Sequence, residues 1–133
     1  MSAQVGIVLV SHSGPVAESV AELARGLAAG GATAPVAATG GTGAGGLGTS
    51  TELIAEAVRA VDGGAGVAVL VDLGSAVLTV KAMLAEDELP PGTRLVDAPF
   101  VEGAVAAVVT ASAGGDLDAV EAAASEAYDY RKA

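Results

Sequence analysis

The sequence contains no cysteine. A disulfide framework and a thiolate metal site are therefore excluded. Basic residues are scarce: Lys and Arg number 6 against 16 Asp and Glu, for a formal net charge of -10. Nucleic acids and anionic membrane surfaces both demand basic contacts, so neither is an expected partner. Long apolar runs are missing as well. Gly, Ser or a charged residue interrupts each of them well short of a membrane span. The stretch before Val5 has neither the basic flank nor the small-residue cleavage site of a signal peptide, and a cytoplasmic protein is expected. Histidine is reduced to a single residue, His12. What remains is an acidic chain of 133 residues. It is long enough to bury a core and is read as one domain, 1–133.

The pattern that is present alternates between two periods. Val5 to Val10 is a continuous apolar run rich in β-branched residues, which suits a strand covered on both faces. Ser13 or Gly14 caps the helix that follows, and Pro15 fits its first turn. Val16, Val20, Leu23 and Leu27 recur at helical spacing, and Gly30-Gly31 ends the helix. Ala34 to Ala38 reads as a weaker second strand. Thr39 to Ser50, "TGGTGAGGLGTS", is a loop by composition. Leu53, Ile54, Ala57, Val58 and Val61 mark a second helix, stopped by Gly63-Gly64. Val67 to Val71 is a third strand, and "DLGS", Asp72 to Ser75, leads into a helix that ends near Ala85. The turn "ELPPGT" precedes a short strand, Arg94 to Val96. Val101 to Ser112 and Leu117 to Tyr128 read as helices, although the first carries several β-branched residues.

Strands alternating with helices predict an open, mostly parallel α/β sheet with helices on both faces. Right-handed crossovers leave few topologies, and the doubly wound order 2-1-3-4 makes strands 1 and 3 neighbours. Their carboxyl ends then flank the topological switch point, where such sheets bind their ligands. The residues just past those ends are His12 and Asp72.

A carboxylate on Nδ1–H fixes the imidazole tautomer and leaves Nε2 as an oriented lone pair. Such a nitrogen serves as a general base, a metal ligand or a nucleophile. The neighbouring Ser11 and Ser13 point away from it, and no G-x-S-x-G elbow exists. One histidine with scattered carboxylates is too few ligands for a metal, and none is expected. Attack on phosphorus, giving a phosphohistidine, fits best. Two helix N-termini then converge on the crevice, one at Ser13-Gly14 and one at "LGSA", where Ser75 adds a hydroxyl. The competing reading of His12 is a histidine satisfied by hydrogen bonds near a strand end.

Four segments extend the comparison beyond the site: "VSHSGPVAESVAELA" (Val10 to Ala24), "GTGAGGLGTS" (Gly41 to Ser50), "VLVDLGSA" (Val69 to Ala76) and "DAPFVEGAVAA" (Asp97 to Ala107). Together they resemble the phosphotransfer subunit of the phosphoenolpyruvate-dependent dihydroxyacetone kinase, the DhaM family. That subunit is itself similar to the IIA (EIIA) domain of the mannose-family sugar phosphotransferase system (PTS). "SHS" and "DLGSA" favour the dihydroxyacetone branch. The resemblance implies that His12 is phosphorylated on Nε2 by phospho-HPr, itself charged by enzyme I. The phosphoryl group would pass to ADP on a DhaL-type subunit, and the ATP formed would serve dihydroxyacetone bound to a DhaK-type subunit. Asp72 would orient His12, and Ser13, Gly14, Gly43, Thr49 and Ser75 would line the phosphoryl pocket. No dissociable cofactor is implied, a homodimer is, and HPr and enzyme I would be separate proteins.

Other readings remain at this level. The chain also suits an EIIA component of a mannose-family sugar system, or a regulatory phosphohistidine domain. Gly41 to Gly46 satisfies G-x-G-x-x-G, the dinucleotide fingerprint. It follows the second strand rather than the first, however, and no acidic residue ends the next strand about 20 residues on. A histidine phosphatase needs a second histidine and an arginine at the site, whereas Arg25 and Arg59 lie mid-helix. The loop Thr39 to Ser50 is expected to border the crevice and to be mobile in the free protein.

Overall fold

The computed structural model describes residues 3–28, 30 and 32–133. The elements follow in the order β1 (Gly6–Ser11), α1 (Gly14–Leu27), β2 (Val36–Gly40), α2 (Thr51–Val61), β3 (Val67–Val71), α3 (Gly74–Ala85), β4 (Thr93–Leu95), α4 (Phe100–Ser112) and α5 (Leu117–Glu126), with a 3-10 turn at Ala127–Asp129. All strand pairs are parallel, and the sheet order is β2-β1-β3-β4. The expected α/β architecture with strand order 2-1-3-4 is the one observed. Among the described residues no helix is long and apolar enough to cross a membrane.

Alternation along the central strands decides which helix covers which face. Ile7 and Leu9 of β1, with Ala68 and Leu70 of β3, pack into one cluster with α1, α4 and α5. Val8 and Val10, with Val67, Val69 and Val71, pack into a second cluster with α2 and α3. Both central strands are buried throughout, which is why they read as unbroken apolar runs. Each large side chain taken out of water here contributes about 1.5–3 kcal/mol.

The boundaries differ from the sequence pattern in instructive ways. β1 runs one residue further than expected and ends at Ser11. β2 spans Val36–Gly40, in register with Ile7 to Ser11 of β1, so Thr39 and Gly40 belong to the strand and the loop contracts to residues 41–50. A Cβ on Gly40 would stand 2.6 Å from the Ser11 carbonyl oxygen and 2.7 Å from that of Ser13, so only glycine lets β2 pass the end of β1 this closely. β4 begins at Thr93 rather than Arg94, paired with Val67. The last helical stretch relaxes into the 3-10 turn before Tyr128.

The expected apolar face of α1 is corrected. Of Val16, Val20, Leu23 and Leu27, only Val20 is buried; the inward stripe is Ala17, Val20, Ala21 and Ala24. Small side chains let α1 approach α4, whose own inward face is Gly103, Ala104, Ala107, Val108 and Ala111. The same close packing explains why α4 is helical despite its valines. Of the expected helix stop, Gly31 lies outside the described residues, and Ala28 is the C-cap of α1.

Candidate active site at the ends of β1 and β3

The crevice is built by two consecutive strand-to-helix turns. β1 ends at Ser11, His12 follows, and Ser13 caps α1, its Oγ accepting from the Val16 N–H at 3.4 Å. β3 ends at Val71, Asp72 follows, and α3 starts at Gly74 with Leu73 as N-cap. Parallel pairing aligns Val10 with Val71, and the Asp72 N–H donates to Val10 O at 3.1 Å. The residue after each strand therefore meets the residue after the other.

The two side chains lock together. His12 Nδ1 lies 2.9 Å from Asp72 Oδ1, with both side chains largely shielded from solvent. Leu73 N–H donates to the same Oδ1 at 2.7 Å. The other oxygen, Oδ2, accepts from the His12 backbone N–H at 3.0 Å and from the Ser11 hydroxyl at 2.8 Å. Partial burial alone would push the Asp72 carboxyl up, but these donors outweigh it and hold the group below its ordinary 3.8. An ionised Asp72 can only accept, so His12 carries its proton on Nδ1 and presents a lone pair at Nε2.

That lone pair is engaged by a residue the sequence reading placed in the pocket. The Ser75 hydroxyl, on the first turn of α3, donates to Nε2. At the two helix starts, the N–H groups of Gly14 in α1 and of Gly74 and Ser75 in α3 have no protein acceptor among the described residues. These are the donors that a helix start leaves for an anion.

The remaining expected residues sit further out. Ser13 and Gly14 form the start of α1 beside His12. Thr49 Oγ1 lies 3.5 Å from Thr79 Oγ1, and Thr79 donates to Ser75 O at 3.0 Å, so Thr49 reaches the site through α3. Gly43 is exposed on a turn in which Gly45 N–H donates to Thr42 O, and no hydrogen bond joins it to His12, Asp72 or Ser75. The loop touches the site elsewhere: Gly48 N–H donates to His12 O at 2.9 Å. The G-x-G-x-x-G stretch does not open a helix, since α2 starts at Thr51 with Ser50 as its cap. Ser11 was not foreseen as part of the site. Its signal was a hydroxyl closing an otherwise apolar strand.

Fold and site thus define a class of protein: a parallel α/β domain carrying an aspartate-oriented histidine whose Nε2 meets the start of α3. The comparisons narrow it. Residues 6–121 match the family model EIIA-man, described as PTS system fructose IIA component, and the chain belongs to that family. It is 34% identical over 118 residues to the phosphoryl donor subunit DhaM of PEP-dependent dihydroxyacetone kinase 2 from Listeria innocua, covering 87% of this chain and 93% of that one. It is 40% identical over 121 residues to the phosphoryl donor subunit DhaM of Pantoea ananatis, covering 87% of this chain but only 25% of that longer protein. A solved crystal structure of a protein of unknown function, EF1359, superposes with a TM-score of 0.75 at 33% identity, covering 92% of this chain and 94% of the other.

Proposed function

We propose that this chain is a phosphocarrier of the dihydroxyacetone kinase system, with His12 as the phosphorylated residue. The observation that carries the reading is the 2.9 Å contact between His12 Nδ1 and Asp72 Oδ1, which leaves Nε2 as the nucleophile, in a chain of the EIIA-man family. The donor is phospho-HPr. The His12 Nε2 lone pair attacks its phosphorus, the donor's N–P bond breaks, and the electron pair returns to the donor imidazole. The ring of His12 gains positive charge as the new bond forms, and the Asp72 carboxylate stabilises it through Nδ1–H. The Ser75 hydroxyl must release Nε2 first; turned toward the phosphoryl oxygens, it joins the Gly14, Gly74 and Ser75 amides as a donor. In the second half-reaction an oxygen of ADP, held on a DhaL-type subunit, attacks the same phosphorus and Nε2 recovers its lone pair. A DhaK-type subunit that binds dihydroxyacetone then uses the ATP. The chain acts only with these partners, as a cytoplasmic homodimer and with no cofactor of its own.

Incubation with phosphoenolpyruvate, enzyme I and HPr tests the reading. One acid-labile, alkali-stable phosphate is expected per chain, and none on a His12→Ala variant. Labelling that survives His12→Ala would overturn it. The family model's description as a fructose IIA component favours a second reading, a sugar-system EIIA. Adding the DhaL- and DhaK-type subunits with dihydroxyacetone separates the two: discharge of the phosphate supports the kinase assignment, and retention supports the sugar system.

A further inference from the structure

We propose that Ser11 is a positioning residue of this site, whose hydroxyl sets the rotation of the Asp72 carboxylate and thereby the tautomer of His12. Ser11 is the sole buried polar side chain among the described residues, at 1% exposure. A lone hydroxyl in that setting is costly unless both its capacities are used. Both are: Oγ donates to Asp72 Oδ2 at 2.8 Å and accepts from the Ser13 N–H at 3.0 Å. One side chain therefore ties the end of β1, the cap of α1 and the carboxylate after β3 together.

The geometry explains why the carboxylate needs this. A terminal carboxyl torsion is broad and roughly two-fold, so nothing intrinsic aims one oxygen at the imidazole. Here each oxygen has two donors. Oδ2 is taken by the Ser11 hydroxyl and the His12 backbone N–H, Oδ1 by Leu73 N–H and the His12 ring. With Oδ2 anchored on β1, Oδ1 has one place to be, opposite Nδ1. Alanine at position 11 removes one of the two anchors and leaves the Ser13 N–H without an acceptor. The carboxylate then swings, and the Nδ1–H tautomer loses its advantage.

The inference rests on the phosphocarrier reading for its rate consequence, but not for its structural one. His12 is the only histidine, so the imidazole ¹⁵N spectrum of the labelled, unphosphorylated protein reports its tautomer without overlap. The parent should be nearly all Nδ1–H. Ser11→Ala should show a clear admixture of the Nε2–H form, and Ser11→Thr, which keeps the hydroxyl, should restore the parental spectrum. Phosphoryl acceptance from phospho-HPr should slow by about 10–100-fold in Ser11→Ala, by analogy with the loss when the outer partners that orient metal-ligating histidines are removed. On an Asp72→Asn background the same change should add little, because both act through one carboxylate. Should Ser11→Ala fail to fold, Ser11→Cys keeps the shape with a weaker donor and must show the same direction of tautomer shift. A parental tautomer in both variants overturns the proposal, as does a loss that multiplies fully with Asp72→Asn. A parent that HPr does not phosphorylate overturns the phosphocarrier reading alone, since the spectrum still decides the role of Ser11.

Discussion

The two lips of the crevice are held in opposite ways. On one side, the Asp72 carboxylate has four donors drawn from β1, His12 and the start of α3. On the other, the loop 41–50 bonds mainly to itself, through Thr42 to Gly45 and Gly46, and touches the site once, from Gly48 N–H to His12 O. His12 is thus fixed at the ends of two strands that are buried throughout, while the segment beside it is held by short local turns. On the proposed phosphocarrier reading, a group presented identically to a donor and an acceptor gains from the first arrangement, and partners that differ in shape gain from the second.

The comparison breaks most easily at Asp72. Asp72→Asn should keep the fold but slow phosphoryl transfer by about 10²–10⁴-fold, the upper end being the loss seen when the orienting aspartate of a serine-protease triad is replaced. Stopped-flow or quench measurement of His12 labelling checks this; transfer at the parental rate would remove Asp72 from the site. Next in size is Gly40→Ala. The added Cβ meets backbone carbonyls at 2.6 and 2.7 Å rather than a side chain that can move aside. A cost of about 1–3 kcal/mol is expected, the range for overpacking, read as a lower midpoint in urea. An unchanged midpoint would mean that the contact between β2 and the end of β1 is not tight.

A pH titration of stability sharpens the contrast further. Partial burial opposes ionisation of Asp72, yet its donors hold the folded group below the ordinary 3.8. A depressed folded value means that the stabilisation is complete above the unfolded pKa and is lost as pH falls through the folded one. Its contribution should therefore be intact at neutral pH, persist down to about pH 4–5, and disappear in stronger acid. Asp72→Asn should flatten that acid limb relative to the parent; identical limbs would contradict the lowered pKa.

The smallest effect on stability is expected in the loop. Gly43 is the second residue of the turn closed by Gly45 N–H and Thr42 O, the position where proline is favoured. Gly43→Pro should leave the unfolding free energy unchanged or raise it by up to about 1 kcal/mol, through the unfolded chain. Transfer to one or both partners should nevertheless slow if the loop has to change shape when they dock. Parental transfer rates would show that it does not. Amide exchange of residues 41–50, faster than that of β1 and β3, would support the same contrast.

Much of this was legible before any coordinates. The apolar runs at Val5 to Val10 and Val67 to Val71 identify strands buried on both faces, and the alternation with helices identifies a parallel sheet. From that topology alone His12 and Asp72 meet at the switch point. Periodicity misled at α1, because alanines are weak apolar signals: Leu23 and Leu27 draw the eye, but Ala17, Ala21 and Ala24 face the core. It also misplaced β2, since the end of an edge strand is decided by its register with β1, which reaches Gly40.

The sequence by itself determined the order of elements, the acidic surface, the single histidine and the partner that a parallel sheet must bring to it. These are local patterns, or consequences of handedness, and they are written in residue types. Only the tertiary structure decided that Ser75 covers Nε2, that Ser11 holds the far side of the Asp72 carboxylate, and that Gly48 rather than Gly43 touches His12. Those contacts depend on side-chain torsions and strand register between segments far apart in the chain, about sixty residues for the Ser11 and Ser75 contacts, which no local pattern encodes.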